Sequence, residues 1–137
     1  DIALATGDVR FAAYALANAV DNFLQMEAID AAASSAERAL ALANTIGDPI
    51  AVSTARANLG LVFAKRGEWS KAEEHLLGSV EMINRLDNPY SLATRYAEIA
   101  RLYEAQGRGV DAASWRSRAE SLFARLQGAG PSGSPGP

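Results

Sequence analysis

The stretch Ala57–Ser79, ANLGLVFAKRGEWSKAEEHLLGS, decides the reading of this chain. It reads as one helix, a tight turn at Gly67 and a second helix. Its residue types recur 40 positions away on both sides. Phe23, Phe63 and Tyr103 form one series, and Ala32, Ala72 and Ala112 a second. Ala39, Ser79 and Ala119 keep a small residue, as do Ala17, Ala57 and Ala97. Ile46, Leu86 and Leu126 close each unit with an aliphatic side chain. Gly67 and Gly107 match each other, with Glu27 at that place in the first unit, and Pro49 matches Pro89. A repeat period of roughly 20–50 residues marks a stack of small helical or strand units, each covered by its neighbours. Here the spacing predicts an all-α chain: an α-solenoid of three antiparallel helix hairpins.

Composition agrees with that reading. The 137 residues are one domain's worth of chain, 49% of them apolar. Abundant alanine suits closely packed helices better than strands. The net charge of -3 gives no global attraction for nucleic acid or an anionic membrane. With no cysteine there is no disulfide framework, thiolate nucleophile or cysteine-ligated metal. No apolar run approaches the roughly 18 residues that span a bilayer. No secretory signal is visible, so a cytoplasmic location is expected. The missing initiator methionine suggests a fragment or a processed product.

Taken in order, residues 1–8 resemble the end of a preceding repeat, because Gly7-Asp8 precedes Gly47-Asp48 by 40 positions. The alternative is an ordinary N-terminal arm. Three repeats follow, at 9–48, 49–88 and 89–126. In the first, Asp8 is expected to cap a helix whose apolar residues include Phe11, Leu16, Val20 and Phe23, and Gly47 ends the second helix in a left-handed position. Asp48-Pro49 and Asn88-Pro89 are helix starts: the polar side chain caps, and proline at the first helical position loses no hydrogen bond. The last helix is expected to carry Val110, Ala112, Ala119, Leu122, Phe123 and Leu126. Helices of this length extend roughly 26 Å at about 1.5 Å per residue. Residues 127–137, rich in Gly, Pro and Ser, read as a flexible tail.

The motif Leu59-Gly60-x-x-Phe63, Gly67, Ala72-x-x-x-Leu76-x-x-Ser79 resembles the tetratricopeptide repeat (TPR). Ile99-Ala100-x-x-Tyr103, Gly107, Ala112 and Ala119 carry it in the third unit. Ala19, Phe23, Ala32 and Ala39 carry it in the first. The chain departs from the family in three ways. Leu16, Arg56 and Tyr96 stand where the family has an early Trp. Ala36 and Arg116 stand at the bulky apolar position of the second helix. The period is 40 rather than roughly 34. Lengthened repeats with an Ile46-Gly47-Asp48-Pro49 type of junction resemble those of bacterial signalling and transcription regulators.

The resemblance implies a right-handed superhelix and a non-catalytic protein–protein interaction module, part of a larger regulatory protein. Its concave face would be lined by the first helix of each hairpin. The residues implied there are Tyr14, Asn18, Asp21 and Gln25; Thr54, Asn58, Leu61 and Lys65; and Thr94, Glu98, Arg101 and Ala105. Steps of three and four place each set on one helical face. That face suits an extended peptide or a helix of a partner protein. Members that clamp the C-terminal carboxylate of a chaperone peptide use Lys, Asn and Arg. The corresponding positions here are Ala17, Asp21, Asn58, Thr94 and Glu98, and Asp21 and Glu98 would repel a carboxylate. The alternative function is structural: self-assembly, with copies stacking end to end or dimerising through the terminal helices.

Catalysis finds little support in the residues. His75 is the sole histidine and reads as solvated beside Glu73 and Glu74, with too few neighbours for a metal site. Glu73, Glu74 and Asp30 read as ordinary exposed carboxylates. Gly107-Arg108-Gly109 lacks the strand and G-K-[ST] of a phosphate loop. Ser34, Ser35 and Ser114 have no partner base. No cofactor is expected. Arg116, Arg118 and Arg125 cluster on the last helix, but Glu120 intervenes and no aromatic platform accompanies them, so no direct nucleic-acid contact is expected. They read as solvating the end of the array or contacting another chain. Trp115 reads as a slightly rotated core residue or as an exposed anchor.

Overall fold

The computed structural model describes residues 6–129, and their side chains from 11 to 128. Six α-helices and no strand occur among these residues: α1 (Thr6–Gln25), α2 (Ile29–Ile46), α3 (Pro49–Lys65), α4 (Trp69–Asn84), α5 (Pro89–Ala105) and α6 (Gly109–Ala129). Each consecutive pair is an antiparallel hairpin, and the hairpins stack side by side as an α-solenoid.

Local chemistry sets the boundaries. Asp48 caps α3, its Oδ1 accepting from the Ile50 N–H at 3.0 Å, with Pro49 at the first helical position. Asn88 caps α5 the same way, accepting from Ser91 N–H at 3.1 Å ahead of Pro89. Gly47 ends α2 at a φ of 66°. Between the helices of each hairpin the chain takes a positive φ at one residue: Glu27 at 61°, Gly67 at 75° and Gly107 at 79°. The first unit therefore uses the same turn as the other two, with a side chain where they have none.

Some expectations need correction. α1 begins at Thr6, so Asp8 lies inside its first turn instead of capping it, and residues 6–8 continue the first helix. α6 runs to Ala129, so residues 127–129 are helical. The remainder of both terminal segments, 1–5 and 130–137, lies outside the described residues. Val110, in the first turn of α6, is 87% exposed. Phe11 is likewise exposed at the outer edge of α1.

Two apolar cores hold the stack. The first joins Val20, Leu24, Ala32, Ala33 and Ala36 to Leu59 and Val62 of the next hairpin. The second joins Ala57, Ala72 and Leu76 to Ile99, Leu102, Tyr103 and Ala112. Each core is thus shared between hairpins, so no hairpin can bury its apolar side alone. Within the middle hairpin, Gly60 and Ser53 bring α3 close to α4. The Ser53 hydroxyl donates to the Ser79 carbonyl at 3.0 Å, with both side chains fully buried.

The third hairpin ends the apolar sequence of the stack. Glu104 and Arg116 pair across α5 and α6 at 3.0 Å. The residues 40 positions earlier are Ala64 and Leu76, both part of the second core, and 80 earlier stand Leu24 and Ala36 of the first. The face that would receive a further hairpin is therefore charged where its counterparts are apolar.

Candidate partner-binding groove

The first helices pack in a row, α1 on α3 and α3 on α5, whereas α2, α4 and α6 do not touch one another among the described residues. A stack whose first helices meet and whose second helices splay must curve with the first helices inside. That curvature brings the last turns of α1, α3 and α5 around one open groove of about 330 Å³. Leu24, Leu61, Ala64, Leu102 and Ala105 give it an apolar floor. Asp21, Gln25, Lys65 and Arg101 surround that floor with polar groups.

The residues nominated from the sequence divide here. Asp21, Gln25, Leu61, Lys65 and Arg101 line the groove, as does Ala105. Tyr14, Asn18, Thr54, Asn58, Thr94 and Glu98 do not. Asn58 is buried, and its Nδ2 donates to the Ala17 carbonyl at 3.4 Å, tying α3 to α1. The Thr54 and Thr94 hydroxyls donate to carbonyls of their own helices, Ile50 at 3.0 Å and Tyr90 at 3.1 Å. Tyr14 and Asn18 are exposed further back on α1. Leu24, Ala64 and Leu102 also line the groove and were missed as site residues in the sequence. Leu24 and Ala64 lie three residues after Asp21 and Leu61, and that spacing was the available signal.

Electrostatics near the groove is mixed. Lys65 stands 3.8 Å from Glu27, with both side chains largely exposed, so that pair is weak and exchangeable. Glu98 is buried behind Arg101, with its Oε1 3.1 Å from Arg95 Nε. The two groups are close but misaligned, and Arg95 Nε, Arg95 Nη1 and Glu98 Oε1 lack a hydrogen-bond partner. Burial raises the Glu98 pKa against the lowering effect of Arg95 and Arg101, and Asp21 adds to the rise.

Of the carboxylates that read as ordinary exposed groups, Glu73 is tied to the scaffold, whereas Asp30 and Glu74 are exposed. Glu73 accepts a hydrogen bond from the Tyr103 hydroxyl and stands 3.9 Å from Arg108, whose guanidinium lies 4.4 Å from the Tyr103 ring centre. Burial first, then this bond to Glu73, pushes the Tyr103 pKa up to about 12. Asp30 pairs with Arg66 of the next hairpin at 3.0 Å. His75 is not simply solvated. It stacks on Phe63 at 5.3 Å, its Nδ1 is buried without a partner, and burial followed by Arg56 lowers its pKa. Trp115 is half-buried against the second core and tilted on Tyr96 at 5.5 Å. No group of three or more His, Cys, Asp or Glu side chains able to hold a metal occurs among the described residues. None of the described helices is long and apolar enough to cross a membrane.

The architecture is that of a TPR helical solenoid. It matches the crystal structure of the TPR domain of Arabidopsis FLU with a TM-score of 0.66 at 20% identity, covering 87% of this chain and 98% of that one. BtubC from P. vanneervenii matches with a TM-score of 0.45 at 18% identity over 92% of this chain and 66% of that one. No family model and no curated protein matches the chain in sequence. At these identities the likeness is one of fold.

Proposed function

We propose that this chain is a non-catalytic protein–protein interaction module that takes a segment of a partner protein in the groove between α1, α3 and α5. The observation that carries the reading is the groove itself: an apolar floor ringed by Asp21, Lys65 and Arg101 from three different helices. Apolar burial supplies affinity, and the few polar groups fix orientation. An amphipathic helix or an extended peptide with one or two aliphatic anchors fits this chemistry. Asp21 stands among the cations and selects against a partner that presents only carboxylates there.

The reading of this chain as a self-assembly module gains nothing from the last hairpin. The Glu104–Arg116 pair puts charge where stacking needs apolar surface.

Panning a random dodecapeptide display library on the full chain tests the proposal. Selected peptides should bind Leu61→Arg and the Lys65→Glu, Arg101→Glu double variant at least tenfold more weakly than the parent. Peptides retained equally by both variants would place the binding surface elsewhere.

A further inference from the structure

The third hairpin carries a second groove, of about 370 Å³, that shares no residue with the first. Leu92 and Tyr96 of α5 and Leu122 of α6 form its apolar part, and Ser117, Arg118, Ser121 and Arg125 of α6 form the rest. On α5, Tyr96 precedes Arg101 and Ala105 of the first groove by five and nine residues. At about 100° per residue that is roughly the opposite side of the helix. The groove therefore opens on the outer side of the stack.

Its charge is specific to this hairpin. Comparison with the middle hairpin, 40 residues earlier, shows how it arises. There the Arg56 guanidinium lies over Gly78 so closely that a Cβ on the glycine would stand 2.6 Å from it, and that side chain closes the space. Here Tyr96 replaces Arg56 and Arg118 replaces Gly78. In the middle hairpin Glu81 stands 3.8 Å from Arg85. Here Ser121 replaces Glu81, so Arg125, the counterpart of Arg85, faces no carboxylate on its own helix one turn back. Arg118 lies 4.4 Å from the centre of the Trp115 ring, a stacking that leaves its N–H edge free to donate. The lining has two guanidiniums, two serine hydroxyls and no acidic residue, in a chain of net charge -3.

We propose that this groove is a second docking surface, for an acidic segment of a partner protein built around one aliphatic anchor. The anchor lies on Leu92, Tyr96 and Leu122. Carboxylates on either side of it reach Arg118 and Arg125. Seven residues separate these arginines along α6, about 10 Å at 1.5 Å per residue. An extended segment covers that distance in about three residues and turns alternate side chains to the same face, so the fitting pattern is two acidic residues four apart with the aliphatic one midway, within reach of the long arginine side chains. Arginine pairs with each carboxylate through two parallel N–H donors, and the serine hydroxyls serve the segment's backbone.

Capped, fluorescein-labelled octapeptides with this acidic–leucine–acidic pattern test the proposal, titrated into the full chain with fluorescence polarisation and backbone amide shifts as readouts. Controls are the same peptide with carboxamides for carboxylates, inorganic phosphate, and phosphatidylserine vesicles. The acidic peptide should bind with shifts at Tyr96, Ser121 and Leu122. Binding should weaken at least tenfold in Arg118→Gln, Arg125→Gln and at least tenfold when the carboxylates become carboxamides. Both arginines are exposed, and helicity by circular dichroism confirms that the double variant folds. Equal binding of the carboxamide peptide, shifts confined to Leu61, Lys65 and Arg101, or no peptide binding would overturn the proposal. So would vesicles or phosphate binding in place of the peptide. The second of these outcomes would leave the first groove as the peptide site, so the two readings fail separately.

Discussion

Gly60 and Leu76 meet where α3 and α4 cross. A Cβ on the glycine would stand 2.7 Å from Leu76 Cγ and 3.1 Å from the Ala72 carbonyl oxygen. Leu76 is fully buried and the carbonyl belongs to a helix, so neither can withdraw freely. Overpacking of this kind costs about 1–3 kcal/mol, against a gain of about 1 kcal/mol for alanine over glycine in a helix. Gly60→Ala should lower stability by about 1 kcal/mol in urea denaturation. An unchanged or raised midpoint would mean that Leu76 turns aside and the close approach is dispensable.

The turn of the first hairpin stores strain at Glu27, whose φ of 61° is easy for the glycines at 67 and 107 and costly for a side chain. The exposed pair with Lys65 returns little. Glu27→Gly should raise stability by about 0.5–1 kcal/mol, read as a higher thermal midpoint. A lower one would show that the Lys65 contact outweighs the backbone.

Stability should fall as pH rises through the carboxylate range because of Glu98. Its folded pKa is raised, so the folded state holds a proton that the unfolded state has released. Its contribution is complete below the ordinary glutamate pKa and is lost on the way to neutrality. Urea midpoints of the parent minus those of Glu98→Gln, measured between about pH 4 and pH 7, isolate this residue. The difference should favour the parent increasingly toward acid. A flat difference, or one that grows toward neutrality, would show that Arg95 holds the carboxylate charged.

Tyr103→Phe removes the hydroxyl that donates to Glu73. At neutral pH the loss should be about 1 kcal/mol, since Glu73 is partly exposed. The same contact gives an alkaline signature. With a pKa raised from 10 to about 12, the tyrosine contributes stability below pH 10 that disappears as pH climbs through the folded value. The phenylalanine variant should lack that component, and an identical alkaline profile in parent and variant would assign it to other tyrosines.

Arg116→Leu combined with Glu104→Ala gives the last hairpin the apolar pair of the middle one, in the form of Leu76 and Ala64. The parent should sediment without concentration dependence through this face, and the double variant should self-associate. Arg116→Ala alone breaks an exposed ion pair, worth at most about 1 kcal/mol. If the double variant stays as dispersed as the parent, the polar end is not what limits stacking.

The sequence determined the helices, the turns and the stack. Those depend on features local in the chain or repeated along it: the 40-residue period, Asp48-Pro49 and Asn88-Pro89 as starts, Gly67 and Gly107 as turns, and small residues at 60 and 72 for close packing. The same periodicity concealed individual roles. Asn58 and Lys65 share one helical row, yet Asn58 binds the Ala17 carbonyl while Lys65 lines the groove. Glu73 reads as a surface carboxylate until Tyr103 and Arg108 of the next hairpin reach it. Arg116 reads as a break in the repeat until Glu104 faces it across α5 and α6. Only the tertiary structure decided these points, because helical spacing fixes a side chain's direction on its own helix. What it meets there depends on the curvature of the stack and on helices far away in the chain.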